Sequence, residues 1–329
     1  MQAKKDRGQF VISLDFELLW GVWDLTTIEK YGANIIGVQK VIPRLLSLFA
    51  EYDIKATFAT VGFLFAKDKA ELLSFNPELM PTYNNPSYNV YEKELPHAGN
   101  DEKDDPYHFA YSLFEMLKNS PHEIGTHTYS HYYCLEDGQT ALQFNTDLTA
   151  AKKIAAKNGV KINSLVFPRN QINEEYLDIL TANNIMVYRG NPTSWIYKPR
   201  SFKAEIPFIR ICRLMDTYFP ISGYNTHTIK KEKTYPVNIP ASRFLKPYVR
   251  SLRLFEKLRM HRIKREMLKA AQKNQLYHLW WHPHNFGTHL EENISFLSNL
   301  LQYYVELKKQ YGFNNLTMEE AALSALNSN

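Results

Sequence analysis

Five short apolar runs, each broken off by acids, imidazoles or a guanidinium, limit what this chain can fold into more than any other feature. Gln9–Leu14 stops at Asp15 and Glu17, His122–Thr126 runs straight into His127 and His131, and Ser164–Phe167 ends in Pro168 and Arg169. Ile185–Tyr188 ends at Arg189, and Leu276–Trp281 at His282, Pro283 and His284. Short runs rich in β-branched and aromatic residues read as buried strands. Between the first run and a further apolar segment, Lys55–Gly62, the residues Ile35, Val38, Ile42, Leu45, Leu46 and Phe49 recur at helical spacing, with Asn34 placed as an N-cap. Strand, helix, strand is the repeating unit of parallel sheets, because parallel neighbours need a crossover. In barrels and open parallel sheets alike, functional groups collect at the carboxyl ends of the strands. Five polar strand ends therefore predict one site in a single α/β domain covering residues 1–329.

Further helices are expected over 105–118, 139–157 and 174–182. Residues 76–106, rich in Asn, Pro, Tyr and Asp without a sustained period, read as a long surface excursion, and 200–240 as an irregular cap. From Pro247 one long helix is expected, with Tyr248, Leu252, Phe255, Leu258, Ile263 and Met267 as an apolar stripe beneath a basic face. An amphipathic helix over 293–310 closes the fold. The basic face matters because the total charge of +5 is lopsided: residues 241–273 hold eleven Lys or Arg against two Glu, or +9, leaving −4 elsewhere. One basic segment on a slightly acidic body points away from nucleic acid and toward a local anionic partner. A solvated helix face explains it equally well. No apolar stretch reaches bilayer length, no export signal follows the charged first residues, and Cys134 and Cys212 make no disulfide framework. A cytoplasmic protein is expected, at most one lying at the inner face of the membrane.

Two imidazoles four residues apart, as in His127-Thr-Tyr-Ser-His131, can face one way on a helical turn and bind one divalent ion. A catalytic site of the zinc type needs a third protein ligand and a position left open for water; Asp15 and Glu17 offer the carboxylate. Two acids one residue apart can divide the work, one holding metal and one taking a proton, and spacing does not assign the roles. The plain alternative is a solvated acidic pair. In Trp280-Trp-His-Pro-His284 a histidine can act as general acid for a leaving amine, or the segment is core tryptophans beside surface histidines. Arg169 can orient an acidic base through a bidentate pair, or be a surface cation. Serine chemistry lacks a G-x-S-x-G elbow, and no glycine-rich phosphate loop is present.

The order of these motifs resembles that of the NodB-type polysaccharide deacetylases along nearly the whole chain. Ser13-Leu-Asp15-Phe-Glu17 is similar to the family's first acidic motif, Lys55–Gly62 to its second strand and Glu123–His131 to its histidine motif. Val166-Phe-Pro-Arg169-Asn-Gln resembles a variant arginine motif, Leu279-Trp-Trp-His282 the late histidine motif, and Asn315-Leu-Thr-Met-Glu319 a common family ending. The resemblance implies a deformed, incomplete (β/α) barrel in which a divalent metal, zinc first, is held by Glu17, His127 and His131. Asp15 would then be the base, with the two acids able to exchange roles because Asp-Phe-Glu replaces the usual Asp-Asp. By the same similarity His282 is the general acid, His284 its alternative, and Arg169 steadies Asp15. Trp281 and Asn170, beside these groups, complete the set as substrate contacts. The implied substrate is an N-acylated sugar, acetylated first, as a cytoplasmic or lipid-linked precursor of a surface polysaccharide, and with it the basic segment 241–273 would lie on an anionic membrane or near a pyrophosphate-linked sugar. Two other readings stay open: a catalytically dead sugar- or lipid-binding member of the fold, and a hydrolase of a cyclic amide or formyl group.

Overall fold

The computed structural model describes residues 7–228 and 235–326. One sheet contains Gln9–Phe16 (β1), Thr57–Thr60 (β2), Glu123–Thr126 (β3), Ser164–Leu165 (β4), Val187–Tyr188 (β5), Val237–Asn238 (β6), Arg243–Phe244 (β7), Leu276–Trp281 (β8) and Asn314–Leu316 (β9). Its pairings are parallel, in the order β6-β5-β4-β3-β2-β1-β8-β7, with β9 beside the start of β1. The two outermost strands of that order, β6 and β7, are joined by only Ile239–Ser242. Within this link the Ala241 N–H donates to the Gly190 carbonyl and the Ser242 N–H to the His278 carbonyl, both at 2.8 Å. A linker this short can join opposite ends of the sheet only if the sheet curls round on itself. The result is the deformed (β/α) barrel that the motifs implied.

Side-chain alternation along the strands then makes two cores. Phe10, Ile12, Leu14 and Phe16 of β1 join Tyr277, Leu279 and Trp281 of β8 in the larger one, beneath the helices. Ile28–Glu51 (α1) contributes Ile35, Val38, Ile42, Leu45 and Phe49 to it, and Ala141–Lys157 (α2) packs on the same side behind a Thr140–Gln143 capping box. The smaller core fills the barrel: Val11, Ala59, Val166, Val187 and Leu276 meet Met318, Ala321, Ala322 and Ala325. Those last four lie on Met318–Leu326 (α3), whose alanines let a helix approach the strand ends closely. This helix closes the fold. The helix expected over 293–310 is Leu290–Tyr311 (α4), and it is followed by β9 and α3.

Other expectations need correction. Asn34 is not a cap: α1 begins after Thr27, and the Asn34 amide donates to the His284 carbonyl at 3.2 Å and to Thr288 Oγ1 at 3.1 Å. There α1 meets the turn after β8 backbone to backbone. A Cβ on Gly37 would lie 2.2 Å from the Gly287 carbonyl oxygen, so only glycine permits this approach. The helix predicted over 105–118 occupies Tyr111–Lys118, because Asp105 instead accepts from the Gly99 and Tyr107 amides. The excursion at 76–106 contains short helical turns and packs inward through Tyr83, Val90, Tyr91 and Leu95. The cap at 200–240 holds the helix Pro207–Asp216 (α5) and strand β6, while its residues 229–234 lie outside those described.

The basic segment is also not a uniform outward face. It comprises β7, a 3-10 turn at Arg250–Phe255 and the helix Glu256–Lys273 (α6). Arg243, Arg259 and Arg262 are buried. Arg243 makes a bidentate pair with Glu266 at 2.6 and 2.7 Å, and Arg262 reaches Asp216 on α5 at 3.1 Å. These cations join α5, β7 and α6. Of the expected stripe, Ile263 and Met267 are buried whereas Phe255 and Leu258 are exposed. Among the described residues no helix is long and apolar enough to cross a membrane.

Candidate metal centre and active site

Parity that sends the even residues of β1 under the helices sends Ser13 and Asp15 into the barrel mouth, and Glu17 follows on the turn. The segment 127–131 is a loop rather than a helical turn, with Thr128 and His131 in the left-handed region at φ 64 and 58. Asp147 of α2 holds this loop, accepting from the Tyr129 amide at 2.7 Å and the Ser130 amide at 3.2 Å. Leu18, Arg169 and Asn170 are left-handed as well, at φ 50, 54 and 54. Each such residue costs about 1–3 kcal/mol, so strain collects on the loops that carry the polar strand ends.

These loops bring Glu17, His127 and His131 together, all buried. His127 Nδ1 lies 2.8 Å from the Val166 carbonyl oxygen. A carbonyl only accepts, so Nδ1 carries a proton, and in the neutral imidazole Nε2 turns a lone pair toward Glu17 Oε2, 3.3 Å away. His131 Nε2 stands 3.3 Å from the same oxygen, and burial pulls its imidazole down to about 4 despite Glu17 beside it, so it is uncharged at neutral pH. Glu17 Oε2 is buried without a hydrogen-bond partner among the described residues. A lone pair and a carboxylate oxygen repel unless a cation lies between them. A separation of 3.3 Å is moreover the edge of a tetrahedron whose corners lie about 2 Å from its centre. This donor set, two imidazoles and a carboxylate, fits a divalent ion.

Four imidazoles surround Glu17. Burial would raise its pKa, but His282 foremost, with the other three, holds the carboxyl well below its ordinary value. His284 Nε2 lies 3.1 Å from Glu17 Oε1, and its Nδ1 lies 3.0 Å from the Tyr31 hydroxyl, which accepts from the Asn285 amide at 3.1 Å. The Asn285 contact leaves the Tyr31 proton free for Nδ1, an arrangement in which His284 donates in turn to Glu17. His284 thus positions Glu17, and with its side chain 3% exposed it does not face the cleft. His282 is 22% exposed; its Nε2 lies 3.7 Å from Asp15 Oδ2 and 3.6 Å from Glu17 Oε1, and Asn285 Oδ1 accepts from its Nδ1 at 3.1 Å. It lines a cleft of about 440 Å³, within the range of small-molecule sites.

Arg169 does not reach Asp15. Its left-handed backbone turns the guanidinium to Asp24 and over the rings of Tyr133 and Phe202. Asp15 is held by Arg189, whose Nη1 and Nη2 each donate to a carboxylate oxygen at 2.7 Å. The same guanidinium reaches Ser13 Oγ at 3.0 Å and Asn170 Oδ1 at 3.1 Å, crossing the mouth from β5 to β1. Burial works to raise the Asp15 pKa, yet Arg189 and the nearby imidazoles hold it below the usual value. Arg189 carried the same signal as the other site residues, a polar group ending an apolar strand. Trp281, expected at the substrate, is buried against Phe49 and Phe286, since the odd residues of β8 face the helices. Trp280 faces the cleft instead, with the Arg189 guanidinium 4.1 Å from its ring. Asn170 also lines the cleft.

Gly21 packs against Glu17 so closely that a Cβ would fall 2.0 Å from the Glu17 carboxyl carbon. Gly21→Ala is therefore expected to weaken the binding of a divalent ion, probed with added zinc, by about 10–100-fold, the range seen when a ligand's support is lost, while circular dichroism stays unchanged. Wild-type affinity in a calorimetric titration would show that the position of Glu17 is immaterial.

The model of the polysaccharide deacetylase family matches residues 31–188. The fold is similar to that of a putative polysaccharide deacetylase from Mycobacterium smegmatis, at 12% identity and a TM-score of 0.60, covering 99% of this chain and 92% of that one. It is similar also to Puue allantoinase, at 10% identity and a TM-score of 0.55, covering 99% of this chain and 93% of that one. No curated protein matches the chain.

Proposed function

We propose that this chain, which belongs to the polysaccharide deacetylase family through residues 31–188, is a metal-dependent hydrolase that removes an N-acyl group, acetyl first, from a sugar. One observation carries the reading: two imidazole nitrogens, one turned inward by the carbonyl that holds its ring's Nδ1, converge on a buried carboxylate oxygen that has no hydrogen-bond partner among the described residues, beside an Arg-locked aspartate. Glu17, His127 and His131 would hold the ion, zinc first, which when bound polarises an acyl carbonyl and acidifies water. Asp15, kept ionised by Arg189, accepts the proton of the attacking water. His282, protonated at Nε2 and steadied at Nδ1 by Asn285, delivers a proton to the departing sugar nitrogen as the carbon–nitrogen bond breaks. Trp280 and Asn170 at the cleft wall bound the place of the sugar ring. The acids and imidazoles that a dead binding member would lack are all present, which favours the hydrolase.

In this reading the sugar is a cytoplasmic or lipid-linked precursor rather than mature polymer, and the protein acts in the cytoplasm. Contact of 241–273 with a membrane loses weight, because three of its arginines are internal. Zinc-loaded protein given a panel of N-acetylhexosamines and their phosphate-linked forms should release acetate, and chelation should stop it. Bound metal without release from any member would favour the binder, and ring-opened or formyl products would favour the third chemistry.

A further inference from the structure

The cleft beside His282 carries more positive charge than its own neighbours neutralise. Its wall bears three arginines that already have carboxylate partners: Arg169 with Asp24, Arg213 with Glu205 and Arg243 with Glu266. Glu205, the carboxylate of that wall, is taken bidentately by Arg213 at 2.8 and 3.2 Å. Arg200 donates to the carbonyls of Trp195, Ile196 and Lys198 and meets no carboxylate among the described residues. Lys198, Arg210 and Lys246 also line the cleft, and none of them forms an ion pair among the described residues.

Lys246 is the most informative of these. It follows β7 and is half-buried, and burial first, then the nearby Arg259, lowers the pKa of its ammonium. A desolvated, unpaired ammonium is unfavourable by itself, and an anion in the cleft would relieve it. Lys246 belongs to the basic segment whose arginines turn inward, so part of that segment's charge faces the site rather than bulk solvent. Several cations converging without a carboxylate to meet them suit a multiply charged group better than a single carboxylate.

We propose that this cleft is an anion subsite, in which Lys246 and Arg210, with Lys198 and Arg200 at its wall, seat a phosphate or pyrophosphate carried by the substrate next to its acylated sugar. The sugar part rests on the deacylase reading, whereas the subsite itself is measurable by binding alone. Calorimetric titration of the full chain with inorganic pyrophosphate is expected to show saturable binding that weakens as salt rises. Lys246→Ala and Arg210→Ala should each weaken it by about tenfold, the loss of one charge-assisted contact. Arg210 is exposed, so its variant tests the subsite without disturbing packing, and circular dichroism checks the Lys246 variant. Unchanged affinity in both variants would overturn the proposal. So would loss of binding in His131→Ala with wild-type affinity in Lys246→Ala and Arg210→Ala, since the anion would then sit on the imidazoles. Uridine diphosphate and farnesyl diphosphate, titrated alongside, separate the two sources: preference for one, lost in Lys246→Ala, supports the subsite and names a nucleotide or a lipid carrier. No turnover is read, so absence of binding leaves deacylation standing, and absence of deacylation leaves the subsite intact.

Discussion

Glu17→Gln is expected to lower kcat/KM by about a thousandfold, because a metal's electrophilic assistance is worth several kcal/mol and about 1.4 kcal/mol is a factor of ten. The amide keeps the size of the side chain but removes the charge that two imidazoles need in order to share a cation. It also places an N–H₂ against His127 Nε2, the nitrogen that the Val166 carbonyl, by holding Nδ1, turns toward the site. The variant protein should therefore fold, with the loop at 127–131 held by Asp147 as before, and should retain little zinc after dialysis. Full metal content with full activity would remove Glu17 from the site.

The second large effect concerns Arg189. Arg189→Met would leave Asp15 buried with both oxygens deprived of their donors, and breaking a buried pair by removing one partner costs about 3–5 kcal/mol. Denaturant unfolding should show that loss. Arg189→Lys keeps the charge but cannot make two parallel bonds, so it should recover only part of the stability. Because Arg189 acts through Asp15 and not on the sugar, kcat should fall in Arg189→Lys while KM stays near the wild-type value. Arg169→Lys should do the reverse, since Arg169 lines the cleft and pairs with Asp24. If Arg169→Lys instead lowered kcat alone, the orienting role would return to that residue.

These two arginines show what the sequence could and could not tell. Strand ends were legible because a buried strand must be apolar and stops where polar groups begin, so Asp15, Glu17, His127, His131, Arg189 and His282 all stood out as endings. Which arginine reaches which aspartate depends on how the sheet curls, and no local pattern encodes that. In this barrel β5 faces β1 across the mouth, so a long side chain from β5 spans to Asp15. Trp280 and Trp281 differ only in strand parity, and an unbroken apolar run conceals which parity faces inward. Convergence of His127 and His131 was anticipated on a helical turn, whereas two left-handed residues achieve it in a loop, a conformation that spacing does not reveal. The basic segment misled for another reason. Counting charges does not show that Glu266 and Asp216 draw Arg243 and Arg262 inward. The closing helix at 318–326 is short and alanine-rich, and its burial comes from filling the barrel rather than from an amphipathic stripe.

Anomalous diffraction at the zinc edge from crystals of the zinc-loaded protein tests the central claim most directly. The account predicts one strong peak about 2 Å from Glu17, His127 Nε2 and His131 Nε2, with His282 beyond bonding distance. A peak instead among Glu17, His282 and His284, or none near Glu17, would contradict it.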